Sequence, residues 1–386
     1  MKPAAPGYIP ALTGVRFLAG LFVFLFHYKP LRSWDNPAAQ QLAGVFNEMY
    51  TGVGLFFVLS GFLICYIYYP LARIEKDFLK TYFIRRFARI FPIFFLITTL
   101  YFVYWSLHGR DSFKFLGIYL MNITLVKGFS KTFMFTGIFQ SWSLTVEETF
   151  YFLAPFIFII TRRFRTFWLQ APVIVGLGCI VTLFFSLYPF YGFFKDTQFL
   201  LMGTFFGRCI EFFIGMQLAL MVLRSKKPVA SAGSGSKFPL ATVAGLVLMA
   251  LCLFGMSSIS NYYGIKYSTD HPLGIFANNI VFPLTVATFF YGLIYERSWV
   301  QRFFAWGPVE LLGKSSYAFY LIHAGFVAEF IHPLTNQPFF TFIMLQLLAI
   351  LIFFLIERPV YRWIVRFDKR TAQSQGRFPI IEQPGC

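Results

Sequence analysis

The chain returns repeatedly to uninterrupted apolar runs of about 20 residues, and this pattern limits its fold more than any other feature. Ten runs can be drawn, at about 9–29, 51–70, 87–107, 141–161, 167–188, 204–223, 238–257, 275–295, 311–331 and 339–357. As a helix rising 1.5 Å per residue, each covers the roughly 30 Å hydrocarbon core of a bilayer. Hydrocarbon offers backbone groups no outside partner, so such runs satisfy their hydrogen bonds as helices. Composition agrees: the 386 residues are 58% hydrophobic and 13% charged, against about 45–50% and 25% in soluble domains. The expected fold is all-α: a polytopic helical membrane protein with about ten transmembrane helices. One membrane domain over residues 1–386 is expected, with no internal repeat and a flexible linker, PVASAGSGSK, at 228–237.

A net charge of +17 raises nucleic acid as a partner. The basic residues lie between apolar runs, where membrane topology accounts for them, and no separate basic domain is present, so that partner is set aside. The segment KFLGIYLMNITLVKG (114–128) decides the orientation. If it does not span, both termini and the even-numbered connections share one side, which carries 24 of the 33 Lys and Arg. If it spans, TRRFR (161–165) and every later basic loop change sides. The positive-inside rule therefore reads 114–128 as interfacial or re-entrant. It places both termini in the cytoplasm, the bundle in the plasma (inner) membrane, and residues 358–386 in a short cytoplasmic tail. No cleavable signal peptide is expected. The cysteines at 65, 179, 209, 252 and 386 form no CxxC, so neither a disulfide framework nor a metal site is expected.

Ionisable groups inside spans cost about 2.5–3.5 kcal/mol each at mid-helix and usually face the bundle interior. On the cytoplasmic side lie Arg16 and the run Arg85, Arg86, Arg89. Arg86 and Arg89, three apart, project from one helix face, and forked guanidiniums suit phosphate. Arginines flanking a span also serve as plain anchors. In the outward half lie His27, Glu147, Glu148, Arg208, Glu211 and His323. Arg208 and Glu211 have the spacing of a pair that binds itself. Single histidines at this depth serve structure as readily as chemistry. Glu147 and Glu148 are adjacent, so at least one faces protein or a cavity. Arg16 and His27 are eleven residues apart, which puts them on nearly one helix face, about 16 Å apart along the axis. That face is expected to join a cytoplasmic arginine layer to an outward histidine and carboxylate layer. It fits an elongated ligand with phosphates at one end and a reactive group at the other. A proton-coupled transporter would use the same groups as a relay.

Seven strings fall on these runs in order: LTGVRFLAGLFVFLFH (12–27), GVGLFFVLSGFLI (52–64), RRFARIFP (85–92), SWSLTVEETFYFLAP (141–155), GRCIEFFIGMQLA (207–219), SSYAFYLIH (315–323) and IERPVYR (356–362). Together they resemble the acyltransferase-3 family of integral-membrane acyltransferases. The resemblance implies transfer of an acyl group, often acetyl, from cytoplasmic acyl-CoA to a hydroxyl of a carbohydrate, envelope polysaccharide precursor or lipid-linked sugar. By position it implies that Arg16, Arg86 and Arg89 engage the donor, that His27 is the catalytic histidine, and that Glu147, Glu148 and His323 support it. It implies acyl-CoA as donor substrate, with no permanently bound cofactor and no metal. Thr13 stands where many members have Asp, and Gly54 where an acidic residue often follows Gly-Val. Some members append an extracytoplasmic esterase-like domain; none is expected here. Two other classes compete: a transporter or flippase of lipid-linked sugars or small acids, and a structural subunit of an envelope-polysaccharide machine. A transporter would move its substrate without acyl-CoA.

Overall fold

The computed structural model describes residues 7–29, 43–72, 75–109, 113–225, 239–335 and 337–373. The linker at 228–237, Cys386 and the tail beyond Gln373 lie outside them. Among the described residues nine helical stretches are long and apolar enough to cross a membrane. The chain begins with α1 (Pro10–Tyr28), α2 (Gly52–Tyr68), α3 (Lys76–Leu107) and the short α4 (Phe113–Ile123). Next come α5 (Trp142–Phe164), α6 (Gln170–Leu187), α7 (Thr197–Gly203), α8 (Phe205–Arg224) and α9 (Leu240–Tyr263). A π turn at Ala277–Val281 joins α10 (Pro272–Phe276) to α11 (Phe282–Tyr295). Four short helices follow: α12 (Trp299–Phe304), α13 (Gly307–Lys314), α14 (Ser316–Ile322) and α15 (Phe326–Thr335). Finally α16 (Pro338–Ile352) runs through a second π turn, Phe353–Glu357, into α17 (Arg358–Gln373).

The structure departs from the expected spans in three places. The run at 311–331 is not one helix but parts of α13, α14 and α15, which leaves nine long spans rather than ten. The third helix starts at Lys76, not near residue 87. The last continues past Glu357, so the expected tail begins as helix. The segment at 114–128 is α4 followed by a 3₁₀ turn, too short to cross.

Contacts divide the chain into two compact units. The first takes Ile67–Phe205 and the chain from Lys314 on; the second takes Ile9–Tyr66 and Phe206–Gly313. In the first, α3 packs on α17 and α14 packs on α16. Gln170, opening α6, donates to Thr161 Oγ1 near the end of α5 at 2.8 Å and closes that hairpin.

Lipid tails are as apolar as Leu, so membrane helices associate through close packing at small residues. The second unit shows this twice. A Cβ on Gly61 of α2 would lie 2.2 Å from Phe212 O of α8, and one on Gly215 of α8 would lie 2.0 Å from Val58 O of α2. Gly245 of α9 and Gly292 of α11 interlock in the same way. The Glu296 carboxylate, just past α11, accepts from the N–H groups of Ala241 and Thr242 at 2.8 Å each. It thus caps the positive end of α9.

Candidate active site

In the second unit α1 carries the two polar residues of the first span. Proline suits the first helical turn, where no N–H is needed, and Pro10 occupies it. The helix is unbroken to Tyr28, so the Arg16–His27 spacing converts directly into one face about 16 Å long. Ala11, Leu12, Val15 and Ala19 are fully buried, while Arg16 and His27 are half-buried. The His27 ring meets the edge of Phe26 at 4.9 Å.

A buried carboxylate closes this end of the unit. Glu48 is wholly inaccessible. Its Oε1 accepts from the Ser260 hydroxyl at 2.5 Å and the Ser268 N–H at 3.1 Å. Its Oε2 accepts from the Tyr50 hydroxyl at 2.8 Å and the Ser268 hydroxyl at 2.7 Å. Four donors suffice to hold a buried carboxylate. They tie the turn before α2 to the end of α9 and the loop beyond it. The Tyr50 ring packs edge-on to Phe26 at 5.7 Å, which links the network to the residue next to His27.

Deeper in the same unit Arg208 and Glu211 pair with each other in a fork: Nε to Oε1 at 2.7 Å and Nη2 to Oε2 at 3.1 Å. Both are buried, and the guanidinium lies over the Phe57 ring at 4.9 Å. Gly54 leaves the room this pair needs: a Cβ there would stand 3.1 Å from Glu211 Oε2. The missing acidic side chain at 54 thus coincides with a carboxylate supplied by α8. Asn279 Nδ2, in the π turn, reaches Gly207 O at 3.5 Å, and Asn278 donates to Asn279 Oδ1 at 2.6 Å. Pro283 has no N–H for the preceding turn, and the π turn falls there.

In the first unit a proline organises the arginines. Pro155 lacks the N–H that would bond Tyr151 O in α5, and the Tyr82 hydroxyl of α3 donates to that carbonyl instead, at 2.8 Å. Arg86, one turn beyond Tyr82, is thereby set over the Tyr151 ring at 5.7 Å and the Tyr68 ring at 5.4 Å. It is 7% exposed, its one hydrogen bond runs to the Tyr68 hydroxyl at 3.3 Å, and its buried Nε has no partner. Tyr151 donates a short hydrogen bond to Glu147 Oε1. Glu148 has Glu147 and Arg86 as its charged neighbours. Arg89 pairs with Glu357 at 2.9 Å. Tyr317, whose hydroxyl donates to Ile90 O at 2.7 Å, has Glu357, Glu148, Glu147 and Arg89 around it.

This corrects the expected layering. Glu147 and Glu148 do not lie in a layer apart from Arg86 and Arg89; the four converge. Because α3 starts at Lys76, Arg86 lies about 15 Å along the helix and not at its mouth.

His323 is fully buried at the end of α14, with Nδ1 2.8 Å from Tyr320 O. It stands where the expected ninth span breaks. A broken helix is tolerated in a membrane only where its freed carbonyls find partners. Gln140 Nε2 supplies them, donating to Tyr320 O, Leu321 O and Ala324 O at 3.0, 2.7 and 3.2 Å. The Tyr320 hydroxyl meets Ser143 Oγ at 2.6 Å. Gln140 is itself placed by the loop before α5. There the buried Lys127 donates to Thr136 O and, at 2.9 Å, to Ile138 O. Burial pushes its pKa down to about 7.

The acyltransferase-3 family model, which describes an acyltransferase domain, matches residues 9–358. The chain belongs to this family. It is 25% identical over 332 residues to the peptidoglycan O-acetyltransferase OatA of Listeria monocytogenes, covering 82% of this chain and 49% of that protein. It is 25% identical over 378 residues to the putative peptidoglycan O-acetyltransferase YrhL of Bacillus subtilis, covering 92% and 55%. The O-acetyltransferase OatA of Staphylococcus aureus is 24% identical over 348 residues, covering 83% and 51%. The chain spans about half the length of the curated relatives it matches. No solved structure matches it.

Within this acyltransferase fold, Arg86, Arg89, Glu147 and Glu148 come together in the first unit, where His323 caps the helix that carries Tyr317. Arg16 and His27 share α1 in the second. Sequence reasoning missed Glu48, Tyr50, Gln140 and Lys127. Glu48 and Gln140 lie outside or at the edge of apolar runs, and their partners are about 180 to 220 residues away. Lys127 carried one signal: a lysine closing a short apolar segment.

Proposed function

We propose that the chain is a membrane-embedded O-acyltransferase that moves an acetyl group from cytoplasmic acyl-CoA to a hydroxyl of an envelope polysaccharide, with peptidoglycan or its lipid-linked precursor as the acceptor class. The observation that carries this reading is the unbroken α1, which sets a guanidinium and an imidazole on one face about 16 Å apart. Arg16 takes the phosphate end of the donor and His27 its thioester end. Arg86 supports it, because a buried guanidinium with donors to spare has capacity for an anion. Arg89 is shared between Glu357 and the donor.

At the reacting end, His27 accepts the proton of the acceptor hydroxyl as that oxygen bonds to the acyl carbon. The C–S bond breaks, and the thiolate of CoA takes the proton. A second route uses the same residue as nucleophile, through an acyl-imidazole that the hydroxyl then attacks. Label retained on the protein without acceptor distinguishes the two. The family resemblance gives Glu147, Glu148 and His323 supporting roles in the reaction. With α13–α15 counted together as a tenth, broken crossing, the distribution of basic residues supports both termini in the cytoplasm, and the bundle is assigned to the plasma membrane as part of the same proposal.

The test supplies labelled acetyl-CoA to membranes holding wild type or His27→Ala. Wild type carries label into the envelope fraction and His27→Ala does not. A wild type that transfers no label and binds no CoA overturns the reading. Movement of a lipid-linked sugar without acyl-CoA favours a flippase instead.

A further inference from the structure

We propose that the outward face of α17, which carries Arg362, Trp363, Arg366 and Phe367, docks on the headgroups of anionic phospholipids in the leaflet where the last span ends.

The last span is longer than a bilayer core requires. Pro338–Phe367 is one helical stretch of 30 residues, and about 20 residues already cross the roughly 30 Å of hydrocarbon. The core therefore ends near Glu357, and α17 enters the headgroup layer from there. One side of α17 is fixed against α3: Glu357, just before it, pairs with Arg89 at 2.9 Å, and Tyr361, one turn on, is buried. The residues on the other side point outward. Arg362 and Arg366, four apart, form one stripe, and Trp363 and Phe367 form the stripe beside it. All four are exposed, the two rings to 70% each. Trp363 lies about 9 Å along the helix beyond Glu357, a depth at which tryptophan rings anchor membrane proteins.

The charge on this face is not met from within. Arg362 and Arg366 make no ion pair and no hydrogen bond among the described residues. Over Arg358–Gln373 five basic residues stand against one acidic residue, Asp368. Asp368 is two residues from Arg366 and six from Arg362, spacings that do not face each other on a helix. The first turns of α3, which packs on α17, bring Asp77 together with Lys76 and Lys80, so they add no net negative charge. A guanidinium matches a phosphate oxygen pair, and basic residues next to a span draw anionic lipid. The neighbouring rings sort to the border of headgroup and acyl chain, as on helices that lie against a membrane surface. A soluble phosphate would use the arginines and leave two large rings in water. A lipid headgroup uses both stripes, on a helix that already emerges from the bilayer.

The experiment uses the full chain in nanodiscs of equal parts phosphatidylcholine and phosphatidylglycerol. The photoreactive residue p-benzoylphenylalanine replaces Trp363, and lipid adducts formed on irradiation are counted by mass spectrometry. Phosphatidylglycerol adducts should exceed phosphatidylcholine adducts by about fivefold or more, and high salt should lower the ratio. Arg362→Gln with Arg366→Gln should bring the ratio close to one. Arg362→Lys with Arg366→Lys should keep most of it, which separates lost charge from a disturbed helix. The same probe in place of Leu347, 59% exposed within α16, should give a ratio near one. An equal bias at Leu347 would assign it to the charge of the whole protein and overturn the proposal. So would a ratio near one at Trp363, or a ratio that the glutamine variant leaves unchanged. Inorganic phosphate that abolishes the bias at constant ionic strength would assign the arginines to a soluble phosphate instead. Adducts to a protein, or none to lipid, would show that this face is not turned to the bilayer.

Discussion

Replacing Glu48 by alanine should make the second unit unfold more easily. Four donors converge on this carboxylate, and they differ in what they can do without it. Ser260 Oγ has a second acceptor in Met256 O at 3.3 Å. The half-buried Tyr50 hydroxyl can turn to Ser268 Oγ at 3.1 Å. The Ser268 N–H, in a fully buried residue, loses its acceptor, and because the Tyr50 and Ser268 hydroxyls can then bond each other, one of those two hydrogens is left over as well. Each buried donor left without a partner costs about 1–3 kcal/mol, so Glu48→Ala should cost about 2–5 kcal/mol. Glu48→Gln keeps one acceptor oxygen and should cost about 1–2 kcal/mol. The thiols of Cys65 and Cys209, both buried in the same unit, provide the assay. Their labelling by a thiol-reactive dye during a thermal ramp in detergent reports unfolding. The alanine variant should label several degrees earlier than wild type, with glutamine between them. If wild type and Glu48→Ala label at the same temperature, the four hydrogen bonds do not hold the two loops together.

Two further outcomes follow from buried charge. Gly54→Asp places a second carboxylate beside Glu211, where a Cβ alone would stand 3.1 Å from Oε2. It should destabilise by about 2–4 kcal/mol, and adding Glu211→Gln should recover more than about 1 kcal/mol, read as a double-mutant cycle in the same thermal assay. The Lys127 amine has a pKa of about 7 when folded, against an ordinary value of 10.5. The unfolded chain therefore binds more protons between those values, and stability should rise with pH there by up to about 1 kcal/mol per pH unit. Thermal midpoints from pH 7 to 10 should show this slope in wild type and not in Lys127→Met; equal slopes would remove Lys127 as its source.

Much of the fold was readable because membrane helices need long apolar runs, and those runs are visible without partners. The short segment at 114–128 followed from its length and from the charge of the loops around it, and the Arg208–Glu211 pair from its spacing. The break near His323 did not, since AFYLIHAGFVAEF interrupts its apolar residues only with His323 and Glu329, and its left-handed backbone position is Gly325, at φ +72. The break is held open by Gln140, far away in sequence. The depth of Arg86 was misjudged for a related reason. The polar first turns of α3, KDFLKTYFIRR, look like a loop by hydropathy yet continue the helix. Depth assigned from apolar runs alone therefore set the arginines apart from Glu147 and Glu148, which a freed carbonyl at Tyr151 and the Tyr82 hydroxyl bring together with them.

The most direct test of the account is acetyl-CoA turnover by the purified protein, followed as release of free CoA thiol. Wild type should release CoA saturably. His27→Ala should release it at least a hundredfold more slowly while binding CoA with unchanged affinity, because the imidazole acts on the acyl carbon and not on the phosphates. Equal rates in wild type and His27→Ala would contradict the claim that acyl transfer runs through this histidine.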